Sequence, residues 1–210
     1  MYHASPRILA LTIVLSLGVV GCGSTKLVNQ WENPQHTPAH FNRILVIGVS
    51  RTPGLRRTFE DQFVAKLRET GVDAVPSYRY ITEDGPVDEA RLQEGVRQAG
   101  ADGVLMTRLV RVERKTEVTP GYYSPAPGVG FGFYPWYSSG WVGYYEPPRV
   151  YQYDVYISET SLYDVRQNQL VWSGTVQTKA PRDLNKEIER YVATVIKALK
   201  KEQVLASTGA

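Results

Sequence analysis

The chain has 210 residues, 42% of them hydrophobic, and its 24 Lys and Arg face 21 Asp and Glu for a formal net charge of +3. That near balance offers no concentrated basic face of the kind nucleic acid demands, and the length suits one domain with a sizeable core. The single cysteine, Cys22, excludes an intramolecular disulfide and leaves stability to packing.

In chain order, Arg7 supplies a positive start, Ile8 to Val20 an apolar run, and Gly21 a small residue directly before Cys22. These are the parts of an export signal. A helix of that length spans about 20 Å, short of the ~30 Å hydrocarbon core, so cleavage of residues 1–21 is expected rather than a permanent membrane span. Residues 22–42 read as a tether with a possible edge strand at Leu27 to Trp31, broken by Pro34 and Pro38. Residues 43–202 read as one domain. It opens with the continuous apolar run Arg43 to Val49, the pattern of a strand covered on both faces. Thr52 and Pro53 start a helix in which Leu55, Phe59, Phe63, Val64 and Leu67 recur at helical spacing until Gly71. A short strand at Val72 to Val75 follows, then a helix capped by Asp88, with Leu92, Val96 and Ala99 inside and Gly100 at its end.

Gly103 to Val112 is the next predicted strand, extending toward Val118. The insert 119–149 carries six Gly, six Pro, six Tyr, two Phe and two Trp, and only Glu146 and Arg149 are charged. Beyond it Tyr151, Tyr153, Val155 and Ile157 alternate with polar residues in a strand that runs toward Val165. A turn through Arg166, Gln167 and Asn168 leads into Leu170 to Val176, and Asp183 opens a last helix. Its stripe is Leu184, Ile188, Tyr191, Val192, Val195, Ile196 and Leu199. Residues 203–210 read as a frayed tail. The order predicts an α+β two-layer sandwich, a mixed sheet with helices mainly on one face; antiparallel strands in the second half weigh against a doubly wound nucleotide-binding fold.

Val19-Val20-Gly21-Cys22 resembles the lipobox of bacterial lipoproteins, whose cysteine is acylated and becomes the first residue after cleavage. The resemblance implies lipidation at Cys22 and attachment to a membrane, since several acyl chains hold where one is marginal. Gly23, where an Asp tends to retain such proteins in the inner membrane, resembles an outer-membrane address. Arg43 to Val49, Arg57-Thr-Phe-Glu60, Gly100-Ala-Asp-Gly-Val104, Leu162-Tyr-Asp164 and Val171-Trp-Ser-Gly174 together resemble a family of small exported bacterial lipoproteins of unknown function. More distantly the pattern is similar to the domain shared by the N-terminal part of the Tol translocation protein, activators of peptidoglycan synthases and the curli export lipoprotein. The resemblance implies an envelope adaptor rather than an enzyme, with an envelope protein or peptidoglycan as partner.

Candidate chemistry is sparse. His36 and His40 are spaced for two helical metal ligands, but Pro34 and Pro38 oppose a helix there, and no metal or cofactor is expected. With no mature thiol and no histidine after residue 40, nucleophilic catalysis is poorly supplied, and Glu60, Asp102, Asp154, Glu159 and Asp164 show no pairing by spacing. Glu60 is expected to pair with Arg56 or Arg57, and Asp164 to shape a hairpin end. Gly128-Val-Gly130-Phe-Gly132 lacks the remaining parts of a phosphate loop.

Arg51, Arg56 and Arg57 cluster at a helix N-terminus, where the dipole disfavours cations, and are candidates to bind an anion; the alternative is that they turn to solvent or to Glu60. In the insert, Tyr122, Tyr123, Phe131, Phe133, Trp136, Tyr137, Trp141, Tyr144 and Tyr145 are candidates for contact with a protein or glycan. A Gly/Pro-rich flexible loop and insertion into a membrane are the other readings of that segment. The expectation is a periplasm-facing, non-enzymatic outer-membrane lipoprotein that binds another envelope component. A subunit of an oligomeric export channel is the alternative, and oligomeric state is not readable from the sequence.

Overall fold

The computed structural model describes residues 25–35, 41–124, 134, 144–179 and 183–205. Among the described residues there are eight strands and three α-helices: β1 (Thr25–Glu32), β2 (Ile44–Val49), α1 (Pro53–Arg68), β3 (Ala74–Pro76), α2 (Glu89–Ala99), β4 (Gly103–Thr119), β5 (Tyr122–Ser124), β6 (Tyr144–Glu146), β7 (Arg149–Asp164), β8 (Gln169–Lys179) and α3 (Leu184–Lys201). A six-stranded sheet runs β1-β8-β7-β4-β2-β3, and β5 and β6 form a separate pair. β2 is parallel to β3 and β4; β4-β7, β7-β8 and β8-β1 are antiparallel. The expected edge strand is therefore real, and the sheet is mixed.

Helix placement follows from chain handedness. β2 connects through α1 to β3 on one side, and β3 connects through α2 back past β2 to β4 on the other. Right-handed crossovers travelling in opposite directions put their helices on opposite faces. α1 and α3 accordingly cover one face, where Phe63, Leu67, Val195 and Leu199 meet Ile44, Val46, Leu105, Leu162 and Trp172. α2 covers the other, where Val96 and Ala99 meet Leu45 and Val75. This is why Ile44, Leu45 and Val46 are all fully buried although neighbours on a strand point opposite ways.

Local chemistry sets the ends. The side chains of Asp88 and Asp183 accept hydrogen bonds from the Arg91 and Lys186 amides, capping α2 and α3. Gly100 closes α2 at φ +62°, a left-handed conformation that favours glycine. Three expectations shift. The third strand sits at Ala74–Pro76 rather than Val72 to Val75. Leu184 is exposed instead of joining the α3 stripe, because it occupies the first turn before the helix reaches the sheet. Val204 and Leu205, read as the start of a frayed tail, are buried in the main core, because α3 ends on a turn with Gln203 at φ 55° that folds the chain back.

Candidate functional site

Most motifs that carry the family resemblance hold structure together. Asp102 Oδ2 accepts from the Asn42 backbone amide at 3.0 Å and from Asn42 Nδ2 at 2.8 Å, and its Oδ1 accepts from the Arg43 amide at 3.0 Å. It thus pins the entry of β2 to the entry of β4. Burial pulls the Asp102 carboxyl upward, but these hydrogen bonds and nearby Arg166 outweigh it and hold the group below the usual carboxylate range. Asp164 Oδ1 accepts from the Arg166 and Gln167 amides at 2.8 and 3.2 Å and shapes the β7-β8 turn, as expected. In Val171-Trp-Ser-Gly174 the Trp172 ring lies fully buried over Gly174, where a Cβ would come within 2.6 Å of Trp172 Cζ2 and closer still to Cη2.

The three arginines at the start of α1 do not converge on one external point. Arg56 turns inward and is 5% exposed. Its Nε donates to Glu60 Oε1 at 3.0 Å, its second guanidinium nitrogen to Ser77 Oγ and the Ile81 carbonyl, and its first to the Glu83 carbonyl. Arg57 instead stacks 5.9 Å from the Tyr78 ring centroid, and Arg51 is exposed in the loop after β2. Of the two partners expected for Glu60, Arg56 is the one it takes. Glu60 is wholly buried and also accepts from the Gly48 amide at 3.0 Å, Ser77 Oγ at 2.7 Å and the Tyr78 amide at 3.0 Å. The pair therefore ties β2, α1 and the turn after β3 into one buried polar knot, and Arg56 has its donors engaged inside the protein rather than offered to an anion.

A second buried network escaped sequence reading. Thr107 and Thr160 share a hydroxyl hydrogen bond of 2.8 Å across β4 and β7, and Thr160 shares another of 2.8 Å with Tyr191 of α3. Burial pushes the Tyr191 hydroxyl from its usual 10 up to about 12, partly opposed by the two threonines. The signal was available: Thr107 and Thr160 fall on core-facing positions two residues from Leu105 and Leu162.

Two surfaces remain open. One is a groove of about 740 Å³ beside α2, lined by Ile47, Leu92, Val96, Val104, Met106 and Tyr163 with Glu89 and Arg97 at its border. Leu92, expected inside, is one of its half-open walls. The other is an arm. β2 pairs with β4 only as far as Arg108, and β8 pairs with β7 only from Val155, yet β4 and β7 stay paired to Thr119 and Arg149. The stretch from Asp154 to Arg149 with its β4 partners thus extends as two strands for about 20 Å at ~3.4 Å per residue. Pro120, Pro147 and Pro148 then interrupt the ladder, since proline has no amide to donate. It resumes as β5-β6, which opposes Tyr122 to Glu146, Tyr123 to Tyr145 and Ser124 to Tyr144.

The arm therefore carries the β5-β6 pair away from the core. Tyr122 and Tyr145 are 57% and 60% exposed at its tip. Phe131, Phe133, Trp136, Tyr137 and Trp141 lie outside the described residues, as do Cys22, His36 and His40. Among the described residues, no group of three or more His, Cys, Asp or Glu is placed to hold a metal ion, and no helix is long and apolar enough to cross a membrane.

No curated protein matches the chain. Among solved structures it is similar to a PelC dodecamer from Paraburkholderia phytofirmans, at 16% identity and TM-score 0.45 over 83% of this chain and 96% of that one. It is also similar to the lipoprotein GNA1162 from Neisseria meningitidis, at 13% identity and TM-score 0.40 over 76% of this chain and 98% of that one. A family model described as "Domain of unknown function (DUF4136)" matches residues 77–201, from the turn after β3 to the end of α3. With more than half of its length matched, the chain belongs to the DUF4136 family.

Proposed function

We propose that the protein is an outer-membrane lipoprotein, anchored through Cys22 and facing the periplasm, whose α+β domain binds another component of the cell envelope without catalysing a reaction. The observation that carries the binding half of this reading is the arm. A two-stranded ribbon with no core of its own is costly to keep ordered, and here it leads to exposed tyrosines in a segment rich in aromatic residues. Tyr and Trp give large contact area at low entropy cost, which suits a protein or glycan surface. The anchoring half rests on Val19-Val20-Gly21-Cys22 at the end of an export signal. Only Gly23 and Ser24 separate Cys22 from β1 at the sheet edge, so an anchor at Cys22 would hold the domain close to the membrane.

Two measurements test the two halves separately. Mass spectrometry of the N-terminal peptide is expected to find acylated Cys22, and an unmodified cysteine would remove the anchor. Removing 121–146 is expected to leave the domain folded by circular dichroism and to abolish capture of its envelope partner. Capture that survives the deletion would move the contact elsewhere on the domain.

A further inference from the structure

The arm has a free edge. From Leu109 to Thr119, β4 is hydrogen-bonded to β7 on one side, and among the described residues no strand pairs with it on the other. An open edge invites another strand, and proteins block such edges with charge, proline or cover. This edge has no proline, its bulge lies at the inner end between Leu109 and Arg111, and Val112 and Val118 beyond it are 48% and 58% exposed. Its charges are Arg111, Glu113, Arg114, Lys115 and Glu117.

Their order is self-complementary. An antiparallel pairing of β4 with the β4 of a second copy, about a two-fold axis through Arg114, opposes Arg111 to Glu117 and Glu113 to Lys115, each twice. It also opposes Val112 to Thr116, while Val110, the residue left over by the β-bulge between Leu109 and Arg111, falls outside the regular ladder. The one like-charged pair is Arg114 with itself, and each Arg114 is already bridged to its own Asp154 at 3.1 Å. Moving the axis one residue toward the core opposes Arg111 to Lys115 and Glu113 to Glu113. Moving it one residue outward opposes Glu113 to Glu117 and Lys115 to Lys115. Axes through Val112 or Thr116 keep only the Arg111–Glu113 or the Lys115–Glu117 pairs. Directly opposed unlike charges stabilise an antiparallel pair, and the axis through Arg114 opposes the most of them.

The bridges these residues make within one copy do not prevent the exchange. Arg111 and Lys115 reach Glu113 at 2.7 and 3.0 Å, and Lys179 reaches Glu117 at 3.0 Å, all with exposed cations. Exposed pairs of this kind are weak and are readily shared with a neighbouring strand. We infer that the outer half of β4 is a self-association edge, and that two copies join it as an isologous antiparallel ladder from Arg111 to Glu117. The two arms then form one four-stranded ribbon, β7-β4-β4-β7, with an aromatic tip at each end. This stands apart from the anchor and from whatever the tips meet.

The test is cysteine crosslinking of the full chain at the axis. Arg114→Cys places the two introduced sulfurs on directly opposed residues, within the Cα spacing that a disulfide accepts. Val112→Cys, which faces Thr116 of the second copy, serves as the off-axis control, and the unsubstituted chain reports any product from Cys22. A covalent dimer from Arg114→Cys but not from Val112→Cys is expected, together with twice the monomer mass for the unsubstituted chain by light scattering in detergent. Equal crosslinking at the two positions, no crosslink at 114, or a monomer mass would overturn the inference.

Discussion

Replacing Glu60 by Gln tests the buried knot at the end of β2 with almost no change of shape. The amide keeps one oxygen, which can stay with the Gly48 amide, Arg56 Nε and Ser77 Oγ. Its NH₂ then meets the Tyr78 amide, donor against donor, and the reverse flip sets it against three donors instead. The Arg56 guanidinium is left 5% exposed with only Asp84, 3.8 Å away and partly in solvent, to balance it. Removing one partner of a buried pair costs roughly 3–5 kcal/mol, and the carbonyls that Arg56 retains place this case at the lower end. Against a total stability of about 5–15 kcal/mol that is a large fraction. Urea unfolding measures it, with Glu69→Gln as the control, since Glu69 bridges Lys66 on the surface. Hydrogen exchange should also speed at the Tyr78 amide, which loses its acceptor. A Glu60→Gln variant no weaker than the control, with the Tyr78 amide still protected, would show that Arg56 does not need the Glu60 charge.

Gly174→Ala should cost roughly 1–3 kcal/mol, because the new methyl collides with the fully buried Trp172 ring and only a shift of the β8 backbone relieves it; thermal unfolding reads the loss. Tyr191 ionises near 12 in the folded chain against 10 otherwise, so its contribution is complete below pH 10 and fades as pH rises toward 12. Tyr191→Phe should flatten that part of the stability profile, and an unchanged alkaline slope would remove Tyr191 as its source.

What could be read beforehand depended on whether a pattern was local. The doubly buried β2, the Asp88 and Asp183 caps, the Gly100 stop and the β7-β8 turn are each specified within a few residues, and each stands where expected. The face taken by α2 is not local, because it follows from strand order and crossover hand, and the sequence does not state strand order. Glu60 shows a different limit. Arg56 and Glu60 lie on the same helical row as Phe63, Val64 and Leu67, so the row itself marked them as core positions. The pairing was expected but its burial was not, since charged groups are seldom fully buried. The arm was half visible: both strands were expected, but their shared register past the sheet edge comes from the length of β4 against the shorter β2 and β8.

The arm is proposed to present its tip to another envelope component while Cys22 holds the domain at the membrane. The most direct measurement is site-specific photo-crosslinking from Tyr145 in the intact envelope, with the exposed α3 residue Lys197 as comparison. The prediction is an adduct to one envelope component from Tyr145, none from Lys197, and loss of the adduct when Cys22→Ser releases the chain. Adducts of equal yield from both positions, or none from Tyr145, would contradict it.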